Sequence, residues 1–280
     1  MNNEQKQNIL ISGGHLTPAV AFIDYSIVEN FGFKFFFAGR KYAQKKTRQL
    51  SHEEQAMAER GVDFINFDSV NADNFEWREL RKAVKQARKI IKENDINLFL
   101  SFGGYLAVPF AIAAWLEKVP VITHEQTQVL GKANKLVALF ANKVAMSSPT
   151  TKTIFANKKV VTGNPLRPKL FQKSGEPPIW FKNFDSKLPY LYISGGSQGS
   201  KAINENVAEV LSELTKNFVV IHQIGATSKV RDPALEVAKI LEKHSPIQKQ
   251  NYFSRPYLSE VELSFLYPKI SIALARAGAN

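Results

Sequence analysis

The sequence contains no cysteine, which excludes disulfides and thiolate catalysis and fits a reducing cytoplasm. Long hydrophobic runs are also missing, because the longest apolar stretch, residues 108–116, is too short to span a bilayer. The first seven residues are polar and lead directly into a strand-like segment, so we expect no signal peptide. If this protein meets a membrane, we therefore expect it to lie on the surface.

Acidic residues are scarce beside basic ones, with 25 Asp and Glu against 37 Lys and Arg, a formal net charge of +12. This excess favours a polyanionic partner, which can be nucleic acid, an anionic leaflet or a phosphorylated substrate. No nucleic-acid recognition motif accompanies the charge, so we expect no nucleic-acid partner. The length of 280 residues allows two domains of ordinary size.

Short apolar strands alternate with amphipathic helices along the chain, which predicts α/β architecture with parallel sheets covered by helices on both faces. In the first part, the predicted strands are 8–11, 34–37, 63–67, 97–100, 119–123, 144–146 and 160–161, and the predicted helices are 18–28, 75–92, 108–116 and 132–140. After the restart at Tyr190, the predicted strands are 190–193, 218–222, 248–252 and 270–274, and the predicted helices run to 215, over 234–243 and over 261–265.

Residues 163–188 are rich in proline and polar residues, which is typical of an interdomain connection. We therefore predict a domain over 1–162, a linker over 163–188 and a second domain over 189–280. Two doubly wound halves would bind ligands in the cleft between them, at the carboxyl ends of the strands. The last predicted strand lacks the helix that should follow it, so we expect the second domain to be incomplete.

The strand 190–193 stops at Ser194-Gly195-Gly196-Ser197, after which apolar residues take helical spacing. Glycines let a backbone approach a ligand, and the free amides and dipole at a helix start provide a seat for phosphate. A tight turn without a ligand explains the same glycines, and both interpretations stay open. The stretch has neither the Gly-Lys-Ser/Thr of a P-loop nor a GxGxxG fingerprint.

Four other strand ends carry glycine or polar clusters: Ser12 to His15, Phe102 to Tyr105, Thr123 to Thr127, and Gly163 to Arg167, whose arginine suits a phosphate or a base. His15 is predicted beside a helix start, where the dipole disfavours the imidazolium and keeps a neutral base available. Capping or packing is the alternative role for this histidine. Glu125 and its neighbours suit the binding of sugar hydroxyls, and their spacing is not the HExxH of a zinc site, so we expect no metal.

Seven motifs follow one another along the chain: Gly13-Gly14-His15, Gly103-Gly104-Tyr105, His124-Glu125-Gln126, Gly163 to Arg167, Gly195 to Gly199, His222 to Gly225, and Arg276 to Ala279. Their order resembles that of the MurG family of GT-B glycosyltransferases. The resemblance implies two Rossmann-like domains facing a cleft, and inverting transfer of N-acetylglucosamine from UDP-N-acetylglucosamine to lipid I, the undecaprenyl-pyrophosphoryl-muramoyl-pentapeptide, for peptidoglycan synthesis. It also implies no cofactor, and a peripheral location at the cytoplasmic face of the bacterial plasma membrane.

On the acceptor side, the resemblance brings Ser12, Gly13 and Gly14 close to the donor sugar and the acceptor pyrophosphate. It makes His15 the candidate base for the acceptor 4-hydroxyl. Glu125, the second candidate catalytic residue, and Gln126 would shape the acceptor site. The other residues implied to bind substrate on this side are Gly103, Gly104, Tyr105 and Thr127.

On the donor side, the resemblance implies that Arg167 and Ser197 hold the nucleotide and that the backbone of Leu258 meets the uracil. The other residues implied to bind the donor are Asn164, Gly195, Gly196, Gln198, Arg276, Gly278 and Ala279.

The chain departs from the family pattern at several positions. Leu10 and Ile11 stand where the first glycine loop of the family has two more glycines, and Thr127 stands for the usual asparagine. The ribose-binding glutamate and sugar-binding glutamines of the family would follow Asn280. Two alternatives therefore stay open: a related GT-B transferase with a different lipid-linked acceptor, and a degenerate, non-catalytic homologue bound to the membrane.

The predicted helix 75–92 has two stripes on its surface. The apolar stripe consists of Leu80, Val84, Ala87 and Ile91, and the basic stripe of Arg81, Lys85, Arg88 and Lys92. Trp77 lies near one end, and Trp115 lies on a separate helix. A core-facing stripe with a solvated flank explains the pattern, but the basic stripe and the tryptophans also suit an anionic membrane surface.

Overall fold

The computed structural model describes residues 7–42, 50–67, 76–171, 177–181, 187–196, 199–225, 232–242 and 251–276. The chain divides into two compact units, with the boundary between Pro168 and Lys169. This boundary lies inside the segment 163–188, for which the sequence predicts a linker.

The first unit is built on a parallel sheet with the strand order β3-β2-β1-β4-β5-β6-β7. Its strands are β1 Asn8–Gly13, β2 Lys34–Gly39, β3 Asp63–Asn66, β4 Leu98–Phe102, β5 Val121–Glu125, β6 Lys143–Met146 and β7 Lys159–Val161. Its helices are α1 Leu16–Val28, α2 His52–Ala58, α3 Trp77–Glu93, α4 Ala107–Leu116 and α5 Lys132–Phe140. The predicted alternation of strands and helices is confirmed here.

The central strands of this sheet are buried on both faces, and successive residues of each strand point to opposite sides. On β1, Leu10 packs in the cluster formed with α3, α4 and α5, whereas Ile9 and Ile11 pack with α1 and α2. Burying a side chain of this size contributes about 1.5–3 kcal/mol. Burial on both faces also explains why the strands are continuous apolar runs in the sequence.

Helix α2 is the element that the sequence analysis missed. Seven residues are too few to show an apolar stripe, and Met57 is its one fully buried side chain. The helix begins after Ser51, whose Oγ accepts a hydrogen bond from the amide of Glu54 at 3.1 Å. A serine followed three residues later by glutamate is the sequence signal that predicts this helix start.

The second unit contains a smaller parallel sheet with the strand order β10-β9-β8-β11. Its strands are β8 Tyr190–Ser194, β9 Val219–Gln223, β10 Tyr252–Arg255 and β11 Ile270–Ala275, and its helices are α6 Lys201–Glu209, α7 Leu211–Asn217, α8 Pro233–Leu241 and α9 Glu260–Leu266. The helix predicted to run to 215 is interrupted at Val210. Of the strand predicted at 248–252, residues 248–250 lie outside the described residues, and the strand β10 begins at Tyr252 and runs three residues beyond the predicted end.

Each sheet has one point where the direction of winding reverses. In the first unit the chain moves outward from β1 to β3 and returns to pair β4 with the other edge of β1. In the second unit it moves from β8 to β10 and returns to pair β11 with β8. Doubly wound sheets bind ligands beyond the carboxyl ends of the strands at such points. The predicted glycine loops follow β1, β4 and β8, so they lie at these two positions.

Candidate functional sites

In the first unit, the glycine loops that follow β1 and β4 contact each other through their backbones. A Cβ atom placed on Gly14 would lie 2.4 Å from the amide nitrogen of Gly104. Gly103 and Gly104 have φ values of +88° and +80°, a region that favours glycine. Glycine is therefore required here for the close approach of two backbones as well as for the turn.

His15 lies at the junction of these two loops. It is the N-cap residue of α1 and makes no side-chain capping hydrogen bond. Its side chain is exposed, and its Cδ2 atom lies 3.5 Å from the position a Cβ atom would take on Gly103. Side-chain capping therefore does not explain this histidine, and its ring borders the second glycine loop from an exposed position. Ser12 and Gly13 are buried at the end of β1, so Gly14 and His15 are the exposed part of the loop.

At the end of β5, the carboxylate of Glu125 holds the following loop in place. It accepts hydrogen bonds from Thr127 N at 3.0 Å and Oγ1 at 2.7 Å, from Gly131 N at 2.9 Å and from Asn134 Nδ2 at 2.9 Å. Burial raises the pKa of Glu125, but these hydrogen bonds outweigh burial and hold the pKa below its ordinary value. The side chain is only 2% exposed, so the geometry makes it a positioning residue for the loop.

Asn134 is a site residue that the sequence analysis missed. From α5, its Nδ2 atom also donates to the carbonyl of His124 at 3.1 Å, and its Oδ1 accepts from Thr123 Oγ1 at 3.0 Å. Its amide lies 3.6 Å from the position of a Cβ atom on Gly103, so it also borders the glycine loops. The signal was a buried asparagine inside the apolar stripe of α5, where an unpaired amide would be costly.

His124 connects the end of β5 to the segment that contains Asn164 and Arg167. Its Nε2 atom lies 3.2 Å from the carbonyl oxygen of Gly163, to which the neutral ring can donate. Burial lowers the pKa of His124, which favours this neutral form. Asn164 and Arg167 are half-buried in the same unit. Tyr105 is half-buried beside the second glycine loop, Gln126 is half-buried, and Thr127 is exposed.

Replacing Glu125 by alanine is expected to lower the free energy of unfolding by about 3 kcal/mol, because buried amides lose their acceptor. Because the folded-state pKa lies below the ordinary 4.5, the part of this stabilisation that depends on the negative charge is fully present above pH 4.5 and is lost as the pH falls through the folded-state pKa. Urea unfolding at pH 7 and pH 3.5 measures both effects. The control is Glu93→Ala, an exposed carboxylate in the same unit. Equal losses in the two variants would contradict the role assigned to Glu125.

In the second unit, the glycine loop after β8 is packed tightly against its surroundings. A Cβ atom on Gly195 would lie 2.3 Å from Ser200 N, and one on Gly199 would lie 2.1 Å from the carbonyl oxygen of Ile224. Between them, Gly196 is exposed and has a φ of +82°. The loop leads into α6, whose N-cap residue is Ser200. Ser197 and Gln198 lie outside the described residues.

Arg276 brings a positive charge to this loop. It follows β11, which pairs with β8, and its Nη2 atom lies 3.2 Å from the position of a Cβ atom on Gly196. An exposed guanidinium beside a glycine loop and a helix start is an arrangement that attracts phosphate. Leu258 is fully buried, and its amide donates to Gln223 Oε1 at 3.2 Å. Gly278 and Ala279 lie outside the described residues.

Helix α3 buries the predicted apolar side, with Val84 only half-buried. Two of the four predicted cations are engaged, since Arg88 and Lys92 lie 2.6 Å and 3.2 Å from carboxylate oxygens of Glu117, which follows α4. Trp77 and Trp115 are 74% and 59% exposed. Among the described residues, no helix has both the length and the hydropathy needed to cross a bilayer.

Comparison with known families gives matches in both units. The glycosyltransferase family 28 N-terminal domain matches residues 12–146, and the family 28 C-terminal domain matches residues 190–280. A relative from Clostridium tetani is 34% identical over 98% of this chain and 74% of its own length. It is named UDP-N-acetylglucosamine--N-acetylmuramyl-(pentapeptide) pyrophosphoryl-undecaprenol N-acetylglucosamine transferase. A relative from Clostridium novyi has the same name and is 34% identical over 96% of this chain and 71% of its own length.

Solved structures show the same fold. MurG from Acinetobacter baumannii superposes with a TM-score of 0.68 at 21% identity, over 98% of this chain and 72% of its own. A UDP-GlcNAc 2-epimerase from Neisseria meningitidis, bound to UDP-GlcNAc, superposes with a TM-score of 0.62 at 12% identity, over 98% of this chain and 78% of its own. The predicted α/β fold of GT-B type is confirmed.

Proposed function

The chain belongs to glycosyltransferase family 28, and from that membership we propose that it transfers N-acetylglucosamine from UDP-N-acetylglucosamine to the muramoyl group of a pentapeptide pyrophosphoryl-undecaprenol acceptor. The observation that carries the proposal is the glycine loop at the reversal point of the second sheet, with the guanidinium of Arg276 against Gly196. These features suit the diphosphate of a nucleotide sugar. Peptidoglycan synthesis is the process in which such a product is used.

The second unit binds the donor in this proposal. Ser200 Oγ caps the amide of Ile203 at 3.5 Å, and the amides that precede it in the first turn of α6 lie at the positive end of the helix dipole. With Arg276, they stabilise the charge that develops on the leaving UDP. Arg167, Asn164 and the residues outside the described ranges, Ser197, Gln198, Gly278 and Ala279, stay predicted donor contacts.

The first unit binds the acceptor and supplies the base. His15 removes the proton of the acceptor 4-hydroxyl, whose oxygen forms a bond to C1 of N-acetylglucosamine. The bond between C1 and the phosphate oxygen breaks on the opposite side, UDP leaves with the electron pair, and the configuration at C1 inverts. Glu125 and Asn134 hold the loop beside His15 without taking part in bond changes. The prediction that no cofactor or metal takes part stays a prediction.

The direct test uses the full chain with labelled UDP-N-acetylglucosamine and a lipid-linked muramoyl-pentapeptide acceptor. We expect the label to move into the lipid product with release of one UDP per sugar. Two other activities are competing outcomes for this test: epimerisation, as in the epimerases with this fold, and transfer to another acceptor. The assignment would be overturned if the label were recovered as a free or epimerised sugar, or if the chain preferred a different lipid acceptor.

We also propose that the first unit lies on the anionic cytoplasmic face of the plasma membrane through the surface formed by Trp77, Arg81, Lys85 and Trp115. The two tryptophans are largely exposed, and the two cations form no ion pair with a described residue. Glu117, two residues after Trp115, binds Arg88 and so brings the end of α4 against the basic stripe of α3. Exposed tryptophan beside basic residues is the composition that binds anionic interfaces.

Replacing Arg81 and Lys85 together by glutamine is expected to weaken binding to vesicles of anionic lipid by about 30-fold, since each cation near the surface contributes about 1 kcal/mol. Vesicle sedimentation at fixed salt measures the partition. The matched control replaces Lys201 and Lys216 of the second unit by glutamine, with the same change in net charge. Equal weakening in the two double variants would contradict a specific membrane surface.

A further inference from the structure

Gln223, the last residue of β9, contacts three separate segments of the second unit. Its Oε1 atom accepts hydrogen bonds from Leu258 N at 3.2 Å and from the hydroxyl of Tyr192 at 3.4 Å. Its Nε2 atom donates to the carbonyl oxygen of Gly196 at 3.4 Å. The side chain is 5% exposed, so these partners replace water on both ends of the amide.

The orientation of this amide follows from its neighbours. The hydroxyl of Tyr192 donates to the amide oxygen at 3.4 Å. The amide of Leu258 is also a donor, whereas Gly196 presents a carbonyl. The amide oxygen must therefore face Tyr192 and Leu258, and the amide nitrogen must face Gly196. Only a primary amide of this length provides an acceptor at one end and a donor at the other.

The two segments joined by Gln223 are expected to meet different parts of the nucleotide. Gly196 belongs to the loop after β8 that the proposed function assigns to the diphosphate, and Leu258 belongs to the segment after β10 that the family resemblance implies for the uracil. Leu258 is fixed on its other side as well, because it is fully buried and precedes the capping box of Ser259 and Glu262 at the start of α9. The carbonyl of Gly196 also accepts a hydrogen bond from Gly199 N at 2.9 Å within its own loop, so Gln223 is the contact that connects this loop to the segment of Leu258.

We propose that Gln223 is a positioning residue that fixes the phosphate-binding loop at the distance from the uracil-binding segment that a uridine diphosphate requires. This inference rests on the proposed function, because it takes the donor to be a UDP-sugar. Gln223 touches no substrate in this account. It determines whether the base and the diphosphate bind at the same time.

The variant Gln223→Glu keeps the contacts made through Oε1 and removes the contact made through Nε2. A carboxylate still accepts from Leu258 and Tyr192, but it cannot donate to Gly196 and it repels that carbonyl. We expect the affinity for UDP to fall by about 10-fold, whereas the affinity for uridine stays within about twofold of the wild type. Gln223→Leu removes the hydrogen bonds at both ends of the side chain, and we expect the affinities for UDP and for uridine to fall. Calorimetry for UDP and NMR titration for uridine measure these affinities.

A general loss of structure in Gln223→Glu would lower the affinities for UDP and for uridine equally, and that result would overturn the inference. Unchanged binding of UDP would also overturn it. If Gln223→Glu does not fold, Tyr192→Phe replaces it, because this variant removes the hydroxyl that orients the amide of Gln223. We expect Tyr192→Phe to lower the affinity for UDP by about threefold without changing the affinity for uridine. Failure of the wild type to bind UDP contradicts the proposed function itself, which keeps the two failures distinguishable.

Discussion

Replacing His15 by alanine is expected to lower kcat for sugar transfer by about 10²- to 10⁴-fold, the contribution typical of a general base. The imidazole is exposed at the junction of the two glycine loops and makes no capping hydrogen bond, so its removal leaves the helix start intact. The affinity for UDP is expected to stay within about twofold, because the donor binds to the second unit. Steady-state transfer at saturating donor and acceptor measures the effect.

His52→Ala is the matched control for this experiment. His52 is an exposed histidine at the start of α2 in the same unit, and its removal is expected to leave kcat unchanged. A loss of less than about fivefold in His15→Ala is too small for a general base and would exclude His15 from that role. A loss of UDP affinity equal to the loss of rate would show that the substitution disturbs the fold.

Replacing Gly199 by alanine is expected to lower the free energy of unfolding of the second unit by about 3 kcal/mol and to abolish UDP binding at millimolar UDP. The residue has a φ of +68°, and its Cβ atom would lie 2.1 Å from the carbonyl oxygen of Ile224. The strands β8 and β9, which lead into this contact, are buried. The added methyl group must therefore displace the loop instead of the sheet. Denaturant unfolding and calorimetry with UDP measure the two losses.

The control Gly61→Ala measures the cost of the positive φ alone, without the contact that a Cβ atom on Gly199 would make with Ile224. Gly61 has a φ of +63°, and a Cβ atom there would meet nothing within 4 Å. The same left-handed conformation without a clash is expected to cost about 1 kcal/mol. If Gly199→Ala costs no more than Gly61→Ala and retains UDP binding, the loop is not held against Ile224 in the way described.

Local patterns in the sequence predicted most of the fold. The alternation of apolar strands with helices located the strands of both sheets except β10, because burial on both faces makes central strands such as β1, β4, β8 and β9 nearly continuous apolar runs. The glycine clusters after β1, β4 and β8 then indicated the reversal points. Helix α2 was missed because seven residues give too little periodicity, and the cap of Ser51 was the only local signal.

The parts of the site that could not be predicted depend on contacts between distant residues. The approach of Gly14 to Gly104 joins loops that lie far apart in sequence, and no residue type in either loop reveals its partner. Gln223 stands in a recognised motif, but its contacts with Gly196 and Leu258 appear only when β8, β9 and the segment after β10 are side by side. Glu125 was predicted as a catalytic residue, and its four hydrogen bonds favour a positioning role that composition alone could not show.

In the proposed function, the diphosphate of a UDP-sugar binds at the glycine loop and helix start of the second unit. Titration of the ¹⁵N-labelled full chain with UDP, followed through backbone amide shifts, measures where it binds. We expect the largest shifts at Gly195, Gly196 and Gly199 and in the first turn of α6, and we expect uridine alone to leave these amides unchanged. Saturable shifts confined to other residues, or no shifts at millimolar UDP, would contradict it.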